Sequence, residues 1–121
     1  MSKVVLSVDD SASMRQMVSF ALEGAGYTVR TAVDGQDALD VLAKGPVDLI
    51  LTDLNMPRMD GLTLIKQVRS LPTCRFVPII FLTTESDDSK KADAKASGAT
   101  GWIVKPFQQE QLLAVVKRFL G

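Results

Sequence analysis

Short apolar runs rich in β-branched residues alternate along this chain with longer segments of helical periodicity, and that alternation leaves few ways to fold it. The runs fall at Val4–Val8, Val47–Thr52, Val77–Leu82 and Trp102–Val104. Strands that are apolar at nearly every position suit a parallel sheet covered on both faces. Tyr27–Ala32 instead alternates large and polar residues, as an edge strand does. Between the runs, Met14, Met17, Val18, Ala21 and Leu22 follow the spacing of one buried helix face. Ala38, Leu39 and Leu42 mark a second helix, Leu62, Ile65 and Val68 a third, and Leu112, Leu113, Val116 and Leu120 a last one. The segment Ser86–Ser97 is mostly charged with Ala92, Ala94 and Ala96, which predicts a loosely held, exposed helix. Ser11, Asp34, Asp60 and Ser86 stand where helices should begin, and Gly26 and Gly98 where they should end.

The order is a strand–helix unit repeated five times, without internal repeat, low-complexity tract or linker. Crossovers of this length make parallel neighbours and a right-handed wind. The expected fold is therefore a three-layer open α/β sandwich, five parallel strands with five helices, in one domain over residues 1–121.

Bulk properties narrow the function. Fourteen basic residues balance fourteen acidic ones, so the basic excess of a non-specific nucleic-acid binder is missing. There is no histidine, which removes the commonest zinc ligand and the commonest general base. Cys74 is the only cysteine, so no internal disulfide forms and a reducing cytoplasm is expected; the plain reading of Cys74 is a small residue near the start of a strand. The longest apolar run near the N-terminus, Val4–Leu6, is too short for a signal segment or a membrane span.

The polar residues that interrupt this scheme converge. Asp9 and Asp10 follow the first strand, Asp53 ends the third, Thr83 the fourth and Lys105 the fifth. All lie at carboxyl ends of strands, the edge where open α/β sheets place their ligands. Three carboxylates there repel one another and call for cations. Lys105 supplies one charge and a hard divalent ion the rest; Mg²⁺ suits carboxylates that share it with a phosphate, and Mn²⁺ is a workable substitute. An Asp carboxylate so placed can attack a phosphoryl group, and a Thr83 hydroxyl can bond a phosphoryl oxygen. Each residue also has a plainer role: Asp9–Asp10 as helix caps, Asp53 as a strand end, Thr83 bonding backbone, Lys105–Pro106 as a turn. Nothing structural requires all five at one edge.

With these residues in hand, the chain resembles the response-regulator receiver family over its whole length, most closely its stand-alone, CheY-like chemotaxis members. The landmarks are Val8-Asp9-Asp10-Ser11, Leu51-Thr52-Asp53-Leu54-Asn55-Met56-Pro57, Asp60-Gly61, Leu82-Thr83-Thr84-Glu85, Gly98-Ala99 and Val104-Lys105-Pro106-Phe107. The resemblance, not the spacing, implies the flavodoxin-like strand order 2-1-3-4-5. It implies Asp53 as phosphoacceptor, and Asp10, Asp53 and the backbone carbonyl of Asn55 as Mg²⁺ ligands with Asp9 acting through water. It implies that Lys105 bridges to the phosphoryl oxygens, that the peptide bond from Lys105 to Pro106 is cis, and that Thr83 is the switch hydroxyl. Trp102 takes the place of the switch aromatic, where the family usually has Tyr or Phe; fixed packing on an edge strand is its plainer role. Thr84 stands where Ala, Ser or Gly is usual. Asn55 and Glu85 match the residues associated with a short-lived phosphate.

Lys90, Lys91 and Lys95 give the alanine-rich segment a cationic surface, either a solvated face or, as the resemblance implies, a partner face together with Trp102. The sequence ends at Leu120–Gly121 directly after the last helix, so output is expected through a protein. The resemblance implies a monomeric cytoplasmic switch. It would be phosphorylated by a CheA-like histidine kinase and read by a flagellar motor switch protein, or it would serve as a phosphate sink or relay. An aspartyl-phosphate phosphatase would need an acid two positions after the nucleophile, where this chain has Asn55. A flavin site would need a glycine- and hydroxyl-rich loop where Asp9 and Asp10 stand.

Overall fold

The computed structural model describes residues 3–53, 61–84, 92, 95, 96, 98–105 and 107–120, with the side chains of 61, 62, 73, 83 and 84 left out. The strands are β1 (Val4–Val8), β2 (Thr28–Ala32), β3 (Leu49–Asp53), β4 (Ile79–Thr84) and β5 (Gly101–Lys105). They form one sheet in the order β2-β1-β3-β4-β5, every pair parallel. The helices among the described residues are α1 (Ala12–Gly24), α2 (Gly35–Lys44), α3 (Gly61–Arg69) and α4 (Gln109–Leu120), with a short 3-10 helix at Pro72–Cys74. The expected helix over Ser86–Ser97 lies mostly outside the described residues; Ala92, Lys95 and Ala96 within it are helical and exposed.

Alternation along each strand divides the core in two. Leu6, Val8, Ile50, Ile79 and Phe81 pack with Ala38 and Leu42 of α2 and Leu64, Ile65 and Val68 of α3. Val5, Leu49, Leu51, Ile80, Leu82 and Ile103 pack with Val18, Ala21 and Leu22 of α1 and Leu112 and Val116 of α4. Both faces of the central strands are covered, which is why their sequence reads apolar at successive positions. Each fully buried Leu, Ile or Val contributes about 1.5–3 kcal/mol relative to exposure, so these two layers hold the sheet. Ser7 departs from this pattern: among the described residues its buried hydroxyl has no hydrogen-bond partner.

The starts and stops follow the local chemistry. Ser11 caps α1, its hydroxyl accepting from the Met14 amide at 3.3 Å. Asp34 caps α2 through the Asp37 amide at 2.9 Å, and Asp37 reaches back to the Val33 amide at 2.9 Å, a reciprocal cap. Gly26 and Gly98 adopt φ of 97° and 113°, left-handed turns that end a helix without a Cβ clash. Two strands begin later than the apolar runs. Val47 is buried and Val77 partly so, yet β3 starts at Leu49 and β4 at Ile79. Pro78 lacks the N–H that a ladder needs, which delays β4, whereas ahead of β3 the Asp48 amide already donates to the Val4 carbonyl at 2.7 Å. Cys74 lies at the end of the 3-10 helix, not at a strand start, and is buried.

The amino edge of the sheet is fastened by Arg69, at the end of α3. Its Nη1 donates to the carbonyls of Val77 (2.7 Å), Cys74 (2.9 Å) and Arg75 (3.2 Å). Its Nη2 and Nε donate to the Gly98 carbonyl at 2.8 and 3.2 Å. One guanidinium thus joins α3, the approach to β4 and the turn before β5.

Candidate functional site

The opposite edge carries the polar cluster, and each strand positions one part of it. β1 ends at Val8, but the Asp9 amide still donates to the Ala32 carbonyl at 3.1 Å, so Asp9 is held as an extension of the strand. Its carboxylate is buried, 1% exposed. Isolated burial of a carboxylate would be costly, and a contact at each of its oxygens offsets that, with the main-chain carbonyl held as well. Oδ1 accepts from the Ser11 amide at 2.9 Å, Oδ2 faces Lys105 Nζ at 3.4 Å, and the Asp9 carbonyl accepts from Arg15 Nη1. Asp10 is exposed. Asp53 closes β3, and its Oδ1 lies 3.5 Å from the same Lys105 Nζ.

Lys105 ends β5, at the far side of β3 and β4 from β1. Its side chain, 15% exposed, reaches over both to touch two acids. One ligand oxygen from each of Asp9, Asp10 and Asp53 lies within 4.8 Å of the others. Around Mg²⁺, oxygens at about 2.1 Å lie at most about 4.2 Å apart, so the cluster needs only a small closure to share an ion. All the donors are hard oxygens, and formally three carboxylates face one ammonium. The residues present therefore fit a divalent hard cation.

The remaining expected residues divide by position. Thr83 is opposite Val104 in the β4–β5 register, one residue short of the Thr84–Lys105 pair, which puts its backbone at the same edge. Trp102 lies on edge strand β5 opposite Phe81 and is exposed, as is Val104 two residues on. Lys95 is exposed and helical. Asn55, Glu85, Lys90, Lys91 and Pro106 lie outside the described residues. Arg15 was not singled out in the sequence. The signal was there: α1 has no acid in its first turn and places a cation close behind the acid pair.

An open parallel sheet with its charged groups gathered at the carboxyl edge defines an α/β protein whose chemistry lies at that edge. Residues 5–117 match the response regulator receiver domain, and the chain belongs to that family. It is a receiver domain of the two-component response-regulator type. The DNA-binding transcriptional regulator NtrC of Escherichia coli K12 is 37% identical over 118 residues, 98% of this chain and 25% of that protein. Response regulator MprA of Mycobacterium bovis BCG is 38% identical over 99% of this chain and 51% of that protein. The chain thus spans a quarter to a half of the length of these relatives. Among solved structures, Vibrio cholerae chemotaxis protein CheY4 is 50% identical with a TM-score of 0.95, covering 98% of this chain and 99% of that one. The receiver domain of the sensor histidine kinase PA1611 of Pseudomonas aeruginosa has a magnesium ion coordinated in its active-site cleft. It is 26% identical with a TM-score of 0.91, covering 100% of this chain and 99% of that one. No helix among the described residues is long and apolar enough to cross a membrane.

Proposed function

We propose that this chain is a phosphorylation-dependent binding switch that accepts a phosphoryl group from a histidine kinase on Asp53. The observation that carries this reading is the cluster itself. Asp53 stands at the end of β3 with an ammonium 3.5 Å away and two further carboxylates beside it. A carboxylate oxygen of Asp53 attacks the phosphorus, and the bond from phosphorus to the donor nitrogen breaks. Lys105 holds positive charge where the phosphoryl oxygens arrive. Asp9, fixed at both carboxylate oxygens, orients Lys105. Asp10, Asp53 and the Asn55 carbonyl would hold Mg²⁺, with Asp9 acting through water; bound there, the ion would neutralise charge on the phosphoryl oxygens. The magnesium in the PA1611 receiver domain supports that assignment. Thr83 would then bond the phosphoryl group, and Trp102 with Val104 would carry the change to an exposed edge.

The partner is a protein. The likeness to CheY4 at 50% identity over nearly all of both chains supports a cytoplasmic chemotaxis role, with a CheA-like kinase upstream and a flagellar motor switch protein downstream. A relay or phosphate-sink role is the second reading; two similar structures are receiver domains of histidine kinases, at 33% and 26% identity. Turnover on external substrates is not part of the proposal, because the amide of Asn55 can neither give nor take the required proton.

The test is intact mass after incubation with acetyl phosphate, with and without Mg²⁺, for wild type and Asp53→Asn. One labile adduct needing both Mg²⁺ and Asp53 is expected, and an adduct on Asp53→Asn would sink the assignment. Binding of a purified motor switch protein with and without a phosphoryl mimic, set against transfer to a histidine phosphotransfer domain, separates the two readings.

A further inference from the structure

We propose that Arg15 is a positioning residue of the acid cluster: its grip on the Asp9 carbonyl fixes the peptide joining Asp9 to Asp10, and with it the direction in which Asp10 presents its carboxylate to a divalent cation. This rests on reading the cluster as a cation site. Arg15 is the fourth residue of α1, and helical side chains lean toward the amino end of their helix. Its guanidinium thereby reaches back past the Ser11 cap and donates through Nη1 to the Asp9 carbonyl.

Helix stability does not account for an arginine here. The amino end of a helix is electropositive, and a cation close to it costs about 0.3–1 kcal/mol where an acid would stabilise by as much. α1 has no acid in its first turn, and among the described residues Arg15 forms no ion pair with a carboxylate. A local rule is broken next to a functional cluster, which is where such departures are expected.

The grip completes the hold on Asp9. Its amide is bonded to Ala32, Oδ1 to Ser11, Oδ2 faces Lys105, and the carbonyl is taken by Arg15. The next residue, Asp10, is exposed, so its direction is set chiefly by the peptide before it. Groups that orient a metal ligand change affinity about 10- to 100-fold when removed.

The sign of the effect makes the proposal testable. By Coulomb's law alone, removing a cation from beside three carboxylates would tighten Mg²⁺ binding. Loss of positioning would weaken it. Calorimetric titration with Mg²⁺ of wild type, Arg15→Gln and Arg15→Lys reads this without any phosphoryl chemistry, and melting temperature is measured alongside. Arg15→Gln is expected to bind about tenfold more weakly while melting at or above the wild-type temperature, and Arg15→Lys to recover most of the loss. If Gln unsettles the helix, Arg15→Met, which keeps the aliphatic stem, makes the same comparison. Binding by Arg15→Gln as tight as wild type, or tighter, overturns the proposal. A wild type that gives no saturable Mg²⁺ heat overturns it together with the cation site beneath it.

Discussion

The two edges of the sheet each hold a partly buried cation, and what surrounds the two cations differs. At the amino edge, Arg69 is enclosed by the carbonyl oxygens of Cys74, Arg75, Val77 and Gly98. At the carboxyl edge, Lys105 faces the carboxylates of Asp9 and Asp53. Carbonyl dipoles carry no net charge and do not titrate, so the Arg69 cage has one arrangement under all ordinary conditions. Burial lowers the Arg69 pKa, offset in part by Coulombic interaction with Cys74. The cost of charging it is therefore fully present below the folded-state pKa and is relieved only as pH rises above that value, so it adds no slope near neutrality. The carboxylate cluster is unbalanced in charge, and a cation or a phosphoryl group can change its balance. One edge is a staple and the other is adjustable.

The contrast can be broken most directly at Lys105. Lys105→Met should slow formation of the acetyl-phosphate adduct by about 10²-fold, as loss of an electrostatic stabiliser does, and Mg²⁺ should raise its melting temperature more than that of wild type. An unchanged adduct rate, followed by mass spectrometry, would remove Lys105 from the reacting site. At the other edge, Arg69→Met leaves four carbonyls without their donor. It should lower unfolding free energy by about 2–3 kcal/mol in urea titration while changing Mg²⁺ affinity less than twofold. A large loss of Mg²⁺ affinity in that variant would show that the edges are coupled. Gly98→Ala tests the staple more gently. Gly98 holds φ of 113°, and an added Cβ would lie 3.0 Å from Arg69 Nε. A loss of about 1–2 kcal/mol is expected, smaller in the Arg69→Met background because the two changes share one contact. The smallest effect belongs between the edges, at Ser7. Its buried hydroxyl has no partner among the described residues, so Ser7→Ala should leave stability unchanged or raise it by up to about 1 kcal/mol.

The two edges also differed in how plainly they could be read from the chain. Asp9, Asp10, Asp53 and Lys105 were legible because each is a charge placed directly after an apolar strand, and the α/β pattern alone brings such positions together. The Arg69 cage was not. Its partners are backbone carbonyls five, six, eight and 29 residues away, and a carbonyl has no sequence signature. The contact of Arg15 is also with a main-chain oxygen, and only its unfavourable place near the amino end of α1 marks it in the sequence. Both core faces were legible from apolar spacing, whereas the starts of β3 and β4 were displaced because Val47 and Val77 lie inside the fold without joining the ladder.

The order β2-β1-β3-β4-β5 has a consequence for how the chain comes into being. The first strand made becomes an interior strand, flanked by the next two, and every strand after β3 is laid down beside the one made just before it. From β3 onward the sheet therefore grows in one direction only. The ends of β1 and β3, with their acids, can come together before β5 has been made. Lys105 is the last of these groups to be synthesised, so until β5 docks, the nascent chain has only Arg15 and the cations of its surroundings to quiet the repulsion.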